Sequence, residues 1–141
     1  MKTRSYGQVE AMFYGAVEDY RAFQFRYCAD EQNPGKVLIF VEQSPDYGSR
    51  DVSSSVMHLM PEGSRGYDHP PFLDVLGEQQ PDSVRKAMRI AHVWADLTLT
   101  YLETGQSISY QIQKSGLPKI QSRFVGGNDE AYEARSTANA S

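Results

Sequence analysis

The chain has a single cysteine, Cys28, so it cannot close a disulfide on itself. It carries no mark of an oxidising compartment, and the expectation is a cytoplasmic protein. Long hydrophobic runs are missing too. The longest, Val37-Leu38-Ile39-Phe40-Val41, falls far short of the roughly 20 apolar residues that span a bilayer, so no membrane partner is expected. The N-terminal stretch MKTRSYGQVEAMFYGAV has no continuous apolar core and no small-residue cleavage site, and no signal peptide is read there. Positive charge is not in excess. Lys and Arg number 14 against 18 Asp and Glu, giving a net charge of −4 and a pI near 5.3. That balance argues against nucleic acid as a partner, because such binders gather a basic face against phosphates.

Recognisable chemistry is also scarce. The chain contains no Walker loop, no G-x-G-x-x-G, no G-x-S-x-G and no paired cysteines. His58, His69, His92 and Cys28 are the obvious metal-ligand types, but none falls into a C-x-x-C, H-x-H or H-E-x-x-H spacing. Neither a metal nor a cofactor is expected. Cys28 follows a run of aromatic residues and reads as a small buried or edge residue rather than a nucleophile.

What is present is ordinary for a globular protein: 141 residues, 40% hydrophobic and 23% charged. A chain of this size buries enough surface to fold without a staple. Residues 1–125 are expected to form one α+β domain, and 126–141 a polar, disordered tail. In residues 6–21, Tyr6, Val9, Phe13, Ala16, Val17 and Tyr20 recur at helical spacing, which favours an N-terminal helix over a strand. Phe23, Phe25 and Tyr27 then alternate with polar residues as a half-buried strand. DEQNPG, residues 30–35, is turn chemistry, and Lys36 to Glu42 reads as a second strand, apolar on both faces and hence central. Val52 to Met60 and Ser107 to Gln113 read as two further strands, the last at an edge. The expected architecture is an antiparallel sheet of about four strands packed by one long amphipathic helix, 82–104.

That helix carries Arg85, Lys86 and Arg89 near its start and Asp96 and Glu103 near its end, against its own dipole. The arrangement predicts an acidic or anionic partner near the N-terminal end. Asp82 or Gln80 is the expected cap and Gly105 the stop. His92 and Asp96 form an i,i+4 pair on the solvated face.

Two groups of residues are candidates for binding or chemistry. Arg85 and Arg89, with His92 further along the same stripe, could hold a carboxylate or phosphate beside the first-turn N–H groups. Tyr67, Asp68 and His69 lie in the Pro- and Gly-broken connection 61–81, and His69 is of the right type for proton transfer. A pocket between the helix and this connection would bring His69, Arg85 and Arg89 together around a small anionic ligand. The order of strand meander, Tyr- and Pro-containing loop and long helix resembles that of ubiquitin-conjugating-like and RWD domains. The Tyr-Pro pair of their loop is absent here, and no cysteine stands where a conjugating enzyme needs one.

These features favour a small, soluble, non-enzymatic binding or adaptor protein, acting on a protein partner or by self-association as a homo-oligomer. The sheet edge, the long helix and the 61–81 loop are the candidate surfaces. The alternatives are a ligand-binding domain or enzyme built on the anion pocket, and an accessory structural part of a larger assembly.

Overall fold

The computed structural model describes residues 15–115. The expected helix over 6–14 and the polar tail 126–141 lie outside that range. The fold is α+β. Strands β1 (Val17–Tyr20), β2 (Phe23–Ala29) and β3 (Val37–Gln43) form a meander, followed by a single helical turn α1 (Ser54–Met57). Short strands β4 (Leu59–Met60) and β5 (Phe72–Leu73) come next, then a 3-10 turn (Gly77–Gln79), the long helix α2 (Val84–Thr104) and α3 (Ile108–Ser115). The sheet is antiparallel in the order β1-β2-β3-β5-β4, which places β3 centrally, as its two-faced hydrophobicity predicts.

Alternation along β2 and β3 builds two cores. Phe23, Phe25 and Tyr27 with Ile39 and Val41 face α2, and pack on Ala87, Ile90, Ala91, Trp94 and Ala95. Cys28, Leu38 and Phe40 face the other way and are covered by Phe72, with Met60, Tyr67 and Leu76 around them. The later part of the long 61–81 connection, from Tyr67 to Leu76, therefore packs on this face, while residues 61–64 stay exposed. Trp94 is the keystone of the first core. It is fully buried, meets Phe23 and Phe25 edge-on at 5.2 and 6.1 Å, and donates its indole N–H to the Met57 carbonyl at 2.8 Å.

Four expectations change. Residues 17–20 are strand, not helix. The chain before them must lie flat on β2, since a Cβ on Gly15 would sit 1.8 Å from the Tyr27 carbonyl oxygen. Of the strand expected over 52–60, only Leu59–Met60 pairs. The serines at 53–55 favour turns over ladders, and Asp51 takes the Ser53 N–H at 2.9 Å to start a helical turn instead. Residues 107–113 belong to a helix. Ile108 and Ile112 are alternate residues but also i,i+4, and both are buried while Tyr110, which a strand would bury with them, is 49% exposed. Finally, the cap of α2 is Ser83, not Asp82 or Gln80: its Oγ accepts the Lys86 N–H at 3.1 Å. Asp82 instead pairs with Lys86 Nζ at 3.0 Å.

One polar atom in the core has no partner among the described residues. Thr98 is wholly buried on α2, and its Oγ1 makes no hydrogen bond. Thr98→Val keeps the branched shape and removes the desolvated hydroxyl. It should raise stability by about 1 kcal/mol, seen as a higher urea midpoint. A lower midpoint would show that the hydroxyl is satisfied in solution.

Candidate interaction site at the open sheet edge

The residues singled out in the 61–81 connection are committed to structure. His69 is buried, with its ring 5.8 Å from Phe40, 5.4 Å from Phe72 and edge-on to Tyr67 at 5.0 Å. Its Nε2 accepts the Arg65 backbone N–H at 3.0 Å, and its Nδ1 donates to the Pro70 carbonyl at 2.6 Å. That pattern requires the neutral Nδ1–H tautomer and leaves neither nitrogen for proton transfer. Asp68 is exposed beside it.

The same corner holds a polar hub that the turn-like sequence 30–35 does not announce. Asp30 is buried. It receives Arg65 Nη1 and Nη2 at 2.8 and 3.2 Å, Gln80 Nε2 at 2.8 Å and the Gln32 N–H at 2.9 Å. Asn33 donates to Gln80 Oε1 at 3.0 Å. The hub staples the β2–β3 turn to both ends of the 61–81 connection.

His69 lies against Phe40, on the face of the sheet away from α2. Arg85 and Arg89 sit on α2, so the sheet separates them from His69, and the expected pocket uniting the three is not formed. Arg85 is exposed and Arg89 half-buried.

His92 and Asp96 do not pair with each other. Both reach to β1 and the turn after it. His92 Nε2 meets the Glu18 carboxylate at 2.8 Å, and its ring stacks on Tyr20 at 3.9 Å and 10°. Glu18 also accepts the Tyr27 hydroxyl at 2.6 Å. Burial, then that carboxylate, push the Tyr27 hydroxyl's pKa well up. Asp96 accepts from the Tyr20 hydroxyl at 3.1 Å and from Arg21 Nη1 at 2.8 Å. Arg21 turns the chain between β1 and β2 with φ 55°. Sequence reasoning placed His92 and Asp96 on a common stripe but missed their partners Glu18, Tyr20 and Arg21, because residues 6–21 read as a helix.

The result is a fixed strand at the end of the sheet. Tyr27 donates its N–H to the Ala16 carbonyl at 2.9 Å, and β1 pairs Val17 with Arg26, Glu18 with Phe25 and Asp19 with Gln24. Antiparallel ladders alternate bonded and non-bonded pairs. Ala16 and Glu18 therefore bond to β2, while the N–H and C=O groups of Val17 and Asp19 point outward. No strand among the described residues takes that side. Val17 is 45% exposed.

Other chemistry is thin among the described residues. No cluster of three or more His, Cys, Asp or Glu could hold a metal, and no helix is long and apolar enough to cross a membrane. Cys28 is buried, and burial pushes its thiol up to about 12, with Arg26 pulling down and Glu42 pushing up. It remains a thiol at neutral pH. Compared with protein families, characterised proteins and solved structures, the chain finds no match. The likeness in element order to ubiquitin-conjugating-like and RWD domains therefore assigns nothing.

Proposed function

We propose that the chain is a small binding or adaptor protein that takes an extended segment of a protein partner along β1. The observation that carries this reading is the outward, rigidly held pair of backbone positions Val17 and Asp19. Edge strands bind by adding a strand, with main-chain hydrogen bonds giving affinity and alternate side chains giving selectivity. The side chains of Glu18, Tyr20 and Arg21 hold this strand to α2, so little ordering cost remains at binding.

The charge of the edge favours a different protein over a second copy. Two copies of β1, paired through their outward positions along the whole strand, set Glu18 against its own counterpart or Asp19 against its own. Like charges directly opposite destabilise a pair. A partner strand with Lys or Arg opposite Asp19 suits the edge. A cytoplasmic setting belongs to the same reading and rests on the lone, unbridged Cys28.

Val17→Pro tests it. The Val17 N–H points away from β2, so proline removes an outward donor and leaves the ladder to β2 intact. Phage-displayed peptides panned on the full chain should yield extended, basic sequences. A selected peptide should shift the Val17 and Asp19 amide signals and bind the variant about tenfold more weakly. Stability of the variant should stay within about 0.5 kcal/mol. Peptides that map to another face, or that bind the variant equally well, overturn the proposal.

A further inference from the structure

On the far side of the molecule from β1's outer edge lies a small cleft between α3 and the turn that joins α1 to β4. It has a volume of about 230 Å³ and is lined by His58, Ser109, Ile112 and Gln113. His58 Nε2 stands 2.9 Å from Ser109 Oγ. We propose that Ser109 is a nucleophile activated by His58, and that this cleft accepts short-chain, uncharged carboxylic esters.

The contact is solvent-exposed, but each partner sits on a supported element. His58 caps α1 in the left-handed region, with φ 56°, a conformation that costs a non-glycine residue energy and gathers at functional sites. The carbonyl just before it, on Met57, is fixed by the Trp94 indole, and its own carbonyl accepts the Asp74 N–H at 2.9 Å. Ser109 rides on α3, which is pinned by buried Ile108 and Ile112 and by Gln111 Nε2 donating to the Leu97 carbonyl at 2.9 Å. A nucleophile and base carried on such supported elements keep their separation.

The surroundings suit proton transfer. Burial lowers the proton affinity of His58, and the nearby Asp74 carboxylate opposes that to a lesser degree. That favours the neutral imidazole at pH 7, and in its Nδ1–H tautomer Nε2 can accept the serine proton. Ser107 caps α3, accepting the Tyr110 N–H on its Oγ at 3.0 Å and the Gln111 N–H on its carbonyl at 3.0 Å. The Ser109 N–H stays outside that ladder, in the first turn, where the helix favours negative charge. It is a candidate donor to a developing oxyanion.

The step balances with water as the only co-reactant. Ser109 Oγ attacks the ester carbonyl carbon as its proton passes to His58 Nε2. The carbon–oxygen bond to the alcohol breaks, and the alcohol leaves with that proton. Water then attacks the acyl-serine, giving its proton to His58, and the carboxylic acid departs as Ser109 recovers its hydrogen. The described lining carries no charged side chain other than the titratable His58, and Ile112 supplies an apolar wall. At about 230 Å³ the cleft is smaller than a drug-sized site, which suits a short acyl group.

A fluorophosphonate probe on the full chain tests the assignment. One adduct is expected by intact mass, mapping to Ser109 and absent in Ser109→Ala. His58→Asn should slow labelling by about 100-fold or more, while asparagine tolerates the left-handed backbone and preserves the fold. Labelling of the native chain should follow an apparent pKa below the ordinary imidazole value of 6.5 and then level off. p-Nitrophenyl acetate should give a burst of one nitrophenolate per chain. No adduct at Ser109, equal labelling in His58→Asn, or a rate that keeps climbing with hydroxide overturns the proposal.

Discussion

Replacing Asp30 by alanine is expected to cost about 3–5 kcal/mol, because it strands a buried cation. The Asp30 side chain has no solvent exposure and that of Arg65 only 12%, so water cannot take over the lost contacts. Gln80 Nε2 and the Gln32 N–H lose their acceptors in the same stroke. Asparagine should do little better. Whichever carboxylate oxygen becomes an amide nitrogen, it then faces donors: Arg65 and Gln80 at Oδ2, or Arg65 and the Gln32 N–H at Oδ1. The double variant Asp30→Ala/Arg65→Ala should lose less than the two single losses combined, since neither charge is left buried alone. Urea unfolding at pH 7 checks each case, and a loss under about 1 kcal/mol for Asp30→Ala would overturn this account.

The same hub sets an acid limit on the fold. Burial raises the proton affinity of Asp30, but the bonds from Arg65, Gln80 and Gln32 together outweigh it, leaving the carboxyl below its ordinary value. A carboxyl lowered by folding stabilises the native state above its unfolded pKa. That contribution fades as pH falls through the folded value. Stability should therefore drop with acidification below about pH 4, and the Asp30→Asn variant should lose this part of the slope while starting from a lower plateau.

The parts of the fold legible in the sequence are those whose pattern is local and long. Strand β2 carries seven residues with clear alternation and β3 seven that open on an apolar run, around a turn of strong chemistry, and α2 presents 21 residues with one apolar face. The β4–β5 pairing involves two residues on each side, and so short a ladder is decided by what it packs on, not by its own propensity. Residues 107–113 misled because Ile108 and Ile112 satisfy a period of two and an i,i+4 helical step at once; Ser107 as a cap leans toward the helix, and the exposure of Tyr110 decides it in three dimensions. The helical spacing of residues 6–21 hides the Glu18–His92 contact, which joins residues 74 apart. His58 and Ser109 are 51 apart. Read as two strands, they gave no reason to meet. The signal available was the capping pattern Ser107 followed by i,i+4 isoleucines, which would have put Ser109 on an exposed helical turn.

Trp94→Phe is expected to cost about 2–4 kcal/mol, from a smaller ring in a close-packed site and a buried carbonyl left without its donor. Its second effect distinguishes an ordinary core residue from one that positions the cleft. The indole N–H holds the Met57 carbonyl, and the next residue is His58 in its left-handed turn. Freed of that bond, the turn can relax toward ordinary backbone angles, and His58 Nε2 moves off Ser109. Fluorophosphonate labelling of the folded variant should slow by about tenfold, an amount of order 1.4 kcal/mol. Ile90→Val is the control. It thins the same core by one methyl, costs about 0.5–1.5 kcal/mol, and has no bond to the turn, so its labelling rate should match the native chain. If Ile90→Val slows labelling as much as Trp94→Phe, the effect follows general core loosening. If Trp94→Phe labels at the native rate, the turn is held by its own backbone and Trp94 serves packing alone.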